Sequence, residues 1–407
     1  MRTTRRPLTV AAIAATVGLL LAGCTTETDA AERAEQPAPL AAVAEANGIS
    51  ADPTQNSSEA LIAAVTADDW AVPVEIIDCA EPGCDGERTQ SVYTPLSPDE
   101  IEGDWDLCAV LPHVKDPYWL GINANLVEEA ERAQVGLQVY EAGGYTEIGT
   151  QLDQLSNCVA NGADAVVVSA VSNEALNATI DEIAAKGIPV IDAVNGVTSA
   201  NVDGRALFDY CTLGGNLGRH LAESGETIKA VWFPGPAGVG SLEQLMSCFE
   251  AQTEGSNVEV LGVSYGDTGK DAQLSLVENA LSAHPDMNYI IGSATTVDAA
   301  VGPLTERGLT GKVQTASYYF TPEVYSLLES GGATCASAGN DLILGRIAVD
   351  MALRVLEGQP FNGGNHVGMA ANVICGPAAG DEMNNLDTLV KELNLPPAGF
   401  KPTFSVK

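Results

Sequence analysis

The chain has 407 residues, 45% of them hydrophobic and 18% charged, enough for two domains around a large core. Its formal net charge is −35, from 54 acidic residues against 19 Lys and Arg. That balance removes nucleic acid from the list of partners, because phosphate contact needs basic patches; a solvated acidic surface suits a secreted protein and identifies no ligand.

Taken in order, residues 1–23 read as an export signal: Arg2, Arg5 and Arg6 precede an apolar run from Leu8 to Leu21. The run is short for a membrane span, and Leu21-Ala22-Gly23-Cys24 matches a lipobox. Cys24 is therefore the expected lipidation site and new N-terminus, holding the protein on the outer face of the cytoplasmic membrane; a retained, uncleaved anchor is the alternative. Thr4-Arg5-Arg6 partly resembles a twin-arginine signal, weakened by Pro7. Residues 24–57, rich in Ala, Glu, Pro and Thr, read as a tether. Residues 58–104 form an N-terminal arm with a short helix after Ser58 and a strand over Val72–Ile77.

The alternation then begins. Strand Leu107–Leu111, a helix over Trp119–Gln134, strand Val135–Tyr140, a helix over Glu147–Asn161 and strand Ala165–Val168 open a parallel sheet with right-handed crossovers. A helix near Asn173–Lys186 and strand Ile188–Ala193 extend it, and Asn195–Phe208, without clear period, is expected to cross to a second lobe. There the strands are Ile228–Phe233, Val258–Ser264, Tyr289–Ile291, Lys312–Ser317 and Ala333–Ser337, with helices between them. A long helix over Leu342–Glu357 returns to the first lobe and Val367–Cys375 recrosses. The expected fold is α/β: two Rossmann-like lobes joined by a three-stranded hinge, lobe 1 being 105–206 plus 339–362, and lobe 2 with the C-terminal segment being 207–338 plus 363–407.

Little in the sequence points to catalysis. Pro234–Ser241 lies between strand and helix but lacks both the phosphate-loop ending and the dinucleotide spacing, so it reads as a cleft-edge loop. His113, His220, His284 and His366 are scattered, and no Gly-x-Ser-x-Gly elbow is present. The expectation is a binding protein, not an enzyme, without cofactor or metal. Ligands of such sheets sit beyond the carboxyl ends of the strands. Tyr118, Trp119, Tyr145, Tyr210 and Tyr319 all fall there, in a chain only 5% aromatic. Brought together, such rings attract alkylated ammonium groups through their faces. Asn195 is the candidate donor to a ligand oxygen.

Nine cysteines suit an oxidising compartment. Cys79 and Cys84 flank a short turn and are expected to bridge. Cys211, Cys248, Cys335 and Cys375 allow three pairings, of which 211–248 with 335–375 is favoured.

The segments Leu111-Pro112-His113-Val114-Lys115-Asp116-Pro117-Tyr118-Trp119-Leu120 and Glu141-Ala142-Gly143-Gly144-Tyr145 carry a resemblance. They resemble the TorT-like proteins of trimethylamine-N-oxide (TMAO) reductase systems, within the type I periplasmic binding protein superfamily. The similarity runs over about 69–407 and includes the closing Gly399-Phe400-Lys401-Pro402. It implies a two-lobed clamp for a small molecule, with Tyr118, Trp119, Tyr145 and Tyr319 at ring positions of the pocket and Tyr210 where the family has Trp. It also implies the pairing of Cys108 with Cys158, and a membrane sensor histidine kinase as partner. The alternative is an ABC importer's binding protein for a sugar or other small solute. Sugar-binding members place an Asp where Tyr319 stands, an Asn-Asp pair at Thr295-Thr296 and an Asp-Arg pair near Val194-Asn195; this chain lacks all three.

Overall fold

The structure, a computed structural model, describes residues 48–79 and 86–407. The export signal, Cys24, most of the tether, and Cys84 with the expected Cys79–Cys84 bridge lie outside the described residues. Ser58–Val65 is helical, capped by the Ser57 side chain on the Ala60 N–H. Next comes an antiparallel hairpin, β1 (Val72–Asp78) and β2 (Glu87–Tyr93). The second of these strands was not legible in the sequence: Glu87–Gln90 are all exposed and Ser91 is polar, so only Val92 and Tyr93 carry an apolar signal.

Four parallel strands follow: β3 (Asp106–Leu111), β4 (Gly136–Glu141), β5 (Ala165–Val168) and β6 (Val190–Val194). In β5 every residue is buried, Ala165 and Val167 on one core and Val166 and Val168 on the other. A parallel strand covered on both faces accordingly reads as an unbroken apolar run. The helix Pro117–Ala133 is bounded by three aligned signals: the Asp116 side chain accepts the Trp119 N–H (3.0 Å), Pro117 takes the first turn, and Gln134 ends the helix at φ 59°.

A fifth strand, β7 (Gly204–Leu207), lies inside the stretch expected to be irregular. Gly-Arg-Ala-Leu offers almost no strand propensity. Tertiary contacts supply the order: Arg205, 3% exposed, pairs with Asp192 of β6 and donates to the carbonyls of Val197 (2.8 Å) and Ser199 (2.7 Å).

The second sheet is built from β8 (Ile228–Phe233), β9 (Val258–Val263), β10 (Tyr289–Gly292), β11 (Gln314–Ser317) and β12 (Cys335–Ala338). The last strands are β13 (His366–Gly368), β14 (Asn372–Cys375) and β15 (Ser405–Val406). The expected placement of 363–407 with the second lobe needs correcting. Strand β13 pairs with β7 and β1, and β15 with β4, all in the first sheet; of the three only β14 joins the second, beside β12. The first sheet thus has the order β15-β4-β3-β5-β6-β7-β13-β1-β2 and the second β14-β12-β11-β10-β8-β9. The chain crosses between sheets four times: after β7, after β12, between β13 and β14, and between β14 and β15.

Among the described residues three disulfides fasten the elements. Cys108–Cys158 ties β3 to the helix Ile148–Ala160, Cys211–Cys248 joins the helices Tyr210–Glu223 and Gly240–Thr253, and Cys335–Cys375 links β12 to β14. None of the described helices is long and apolar enough to cross a membrane.

Candidate functional site

The carboxyl ends of both sheets converge on a cavity of about 50 Å³. Each wall follows from topology. Tyr118 and Trp119 occupy the first turn of the helix after β3, and Tyr145 lies in the loop after β4. Phe208 and Tyr210 flank the crossing after β7. From the second sheet come Leu242 after β8, Thr268 after β9, and Tyr318 and Tyr319 after β11.

The rings contact edge to face, except Tyr318 on Tyr319, which is tilted at 54°. Tyr118 is the hub, with centroids 5.5 Å from Trp119, 5.9 Å from Phe208 and 5.5 Å from Tyr319. Phe208 meets Tyr210 at 4.7 Å, and Tyr318 meets Tyr319 at 5.3 Å. Such arrangements put the electron-poor edge of one ring on the electron-rich face of the next. His113, 2% exposed, supports the cage from behind, edge-on to Trp119 and Tyr145. Burial first, and Lys115 second, pull its pKa down to about 4, so the imidazole is neutral.

Five of the six residues singled out for binding, Tyr118, Trp119, Tyr145, Tyr210 and Tyr319, line this cavity. Asn195 does not; it lines a neighbouring polar cleft of about 360 Å³ with Asn173, Thr198 and Ser241. Its amide donates to the Ala170 carbonyl (2.7 Å) and the Tyr145 hydroxyl (3.4 Å), and its Oδ1 accepts from the Tyr210 hydroxyl (2.9 Å). Its hydrogen-bonding capacity is thus directed at the cage rings. Val194, before it, has φ 65°, a left-handed conformation that a β-branched residue rarely adopts. The Phe208 N–H on the Val194 carbonyl (3.0 Å) ties this turn to the crossing.

Sequence reasoning missed four components. Phe208 fell in the stretch read as irregular. Tyr318 was visible as the neighbour of Tyr319, but its role appears only in space: its hydroxyl donates to the Pro234 carbonyl (2.7 Å) and its ring stacks at 6.5 Å on Trp232. Asp116 and Asp341 look like ordinary residues before a helix. In the structure half-buried Asp116 lines the cavity, and Asp341, 4% exposed, sits beside Tyr118 and Phe208. Burial pushes the Asp116 carboxyl up to about 6, against the opposing N–H groups of Trp119 and Tyr118. Burial also pushes Asp341 up to about 7, against the Tyr118 hydroxyl and its own backbone N–H. The crossing that carries Asp341 is fixed by Asn340 (φ 50°), whose Oδ1 accepts from Asn394 (2.7 Å).

Among the described residues one cluster, His220 with Cys335 and Cys375, brings three potential metal donors within 4.8 Å. Both sulfurs are already bonded to each other, so the cluster is a disulfide beside an imidazole.

A family model described as a periplasmic binding protein domain matches residues 108–360. The periplasmic protein TorT of Escherichia coli K12 is 29% identical over 318 residues, 78% of this chain and 88% of TorT. Among solved structures, an ABC transporter solute-binding protein from Bradyrhizobium sp. BTAi1 with bound Bis-Tris is 41% identical. It has a TM-score of 0.70, and the match covers 82% of this chain and 97% of that one. TorT in complex with the TorS sensor domain in the presence of TMAO is 26% identical with a TM-score of 0.65, covering 74% of this chain and all of that one.

Proposed function

The chain belongs to the periplasmic binding protein family, and from that premise we propose that it captures a small methylated amine or amine oxide of the TMAO type and reports it to a membrane sensor histidine kinase. The observation that carries this reading is the cage: seven aromatic rings from both sheets around about 50 Å³. Pockets for drug-sized ligands run to roughly 300–1,000 Å³. A space this small, walled by ring faces, suits a compact methylated nitrogen, which gains about 0.5–2 kcal/mol per ring face. It offers little of the hydrogen bonding that a sugar needs. Because rings from opposite sheets complete the cage, the ligand stabilises the closed arrangement that a partner can recognise. The protein acts outside the cytoplasm, held to the membrane through Cys24.

A thermal-shift comparison tests the ligand class. TMAO, choline and tetramethylammonium should raise the unfolding temperature, and ribose and galactose should not; stabilisation by the sugars alone overturns the proposal. A second reading, delivery to an ABC importer, is favoured by the 41% identity to a transporter's binding protein whose bound molecule is itself a tertiary amine. Both readings share the cage and differ in the partner. Complex formation with a sensor domain, against a permease, encoded beside this protein separates them.

A further inference from the structure

Taking the cage as the binding site, we infer that it is built for a ligand with net positive charge, a quaternary or protonated methylated ammonium, with Asp341 and Asp116 as counter-charges, in preference to a zwitterionic amine oxide or betaine. The first observation is an unsatisfied acid. Asp341 is 4% exposed, and the buried Tyr118 hydroxyl beside it eases its ionisation without closing a well-aligned hydrogen bond to Oδ2. A Cβ placed on Gly339 would lie 3.0 Å from the Asp341 carboxyl carbon and 3.1 Å from the Phe208 ring, which puts the acid directly behind two walls of the cage. The second is the missing base. Among the described residues no Lys or Arg forms a salt bridge with Asp341 or Asp116. Lys115, adjacent in sequence, carries its ammonium to Gly144, 3.5 Å from where a Cβ there would stand.

A carboxylate taken out of water without a partner is strongly disfavoured, and removal of the proton becomes easy only when a cation arrives. An ammonium among the rings supplies that cation. An amine oxide adds an oxygen carrying negative charge beside the same acids. The groups facing Asp116 from other elements are Glu323, Tyr145, Tyr319 and, across a shared cleft, Lys270 and Asp298; its own loop adds Lys115 and the neutral His113. Those facing Asp341 are Tyr118 and Tyr210. Neither lysine near Asp116 is paired with it: Lys270 bridges to Asp298, and Lys115 forms no salt bridge among the described residues. With both carboxyls raised, to about 6 and about 7, entry of a permanent cation should lower them again and release protons. Affinity for such a cation therefore rises with pH across this window.

The test is calorimetry of the full chain with tetramethylammonium, which has no proton of its own, and with TMAO, at pH 6 and 8 in two buffers of different ionisation enthalpy. Tetramethylammonium should bind at least ten-fold tighter than TMAO at pH 8, tighten several-fold from pH 6 to 8, and release protons at pH 6. Asp341→Asn should abolish most of the preference and the proton release while keeping TMAO binding; Asp116→Asn, which can still cap its helix, should do the same to a smaller extent. Equal or tighter binding of TMAO with no proton release overturns the charge inference and leaves the cage reading standing. Binding of neither compound to a folded protein overturns both. If a variant does not fold, the wild-type comparison alone decides.

Discussion

The first sheet and the cleft both bury acids, and they treat them differently. Behind the arm, Asp350 accepts from the Tyr93 hydroxyl (2.5 Å), the Leu96 N–H (2.7 Å) and Arg354 (2.7 Å), while Arg354 also donates to the carbonyls of Thr94 and Pro360. Glu129 is held by Arg132 and by the Trp70 indole (2.7 Å), and Asp192 by Arg205. Burial pushes Glu129 and Asp192 up, and in each a guanidinium alongside pulls back. At the cage, burial acts on Asp116 and Asp341 with no guanidinium or ammonium opposing it. In each structural network the buried acid is paired with a guanidinium of the same chain. The cage leaves its acids unpaired, and rings face the place where a cation fits.

The largest effect should come from breaking the Asp350 network. Asp350→Ala strands Arg354 and the Tyr93 hydroxyl in the core and should lower stability by about 3–5 kcal/mol, read from the urea midpoint. At the cage the sign reverses. A carboxyl raised in the folded state favours folding below its unfolded pKa of about 3.9, and that contribution is lost as pH rises through about 7. Without ligand, Asp341→Asn should therefore match wild type near pH 4 and exceed it at pH 8 by on the order of 1 kcal/mol, in thermal melts across pH. The smallest effect belongs to the exposed pair Lys229–Asp286 (2.7 Å), where Lys229→Ala should leave the melting temperature unchanged within error.

The alternation of apolar runs and amphipathic segments made the two sheets readable, because β5 and its neighbours are buried on both faces. Cage positions were readable where a ring opens the helix after a strand, as with Tyr118 and Trp119, or closely follows a strand, as with Tyr319. Strand β7 and Phe208 were not, since their order comes from Arg205 and Asp192, which lie thirteen residues apart and meet only in the fold. Strands β13 and β15 were assigned to the wrong sheet for a related reason: strands of three and two residues carry no periodicity that could choose between sheets. Asp341 escaped notice because an Asp ahead of an apolar helix looks like a cap, and only burial beside Tyr118 shows it as an unpaired charge.

The most direct test removes one ring from each side of the cage and measures binding. Trp119 enters from the first sheet and Tyr319 from the second. Calorimetry with tetramethylammonium and TMAO on Trp119→Ala, Tyr319→Ala and Tyr319→Phe should show each Ala variant about ten-fold weaker or more, a loss of about 1–2 kcal/mol per ring, with the fold intact by circular dichroism. Tyr319→Phe should keep most of the binding, because the ring face does the holding. Unchanged affinity in both Ala variants would contradict the account and reduce these rings to packing.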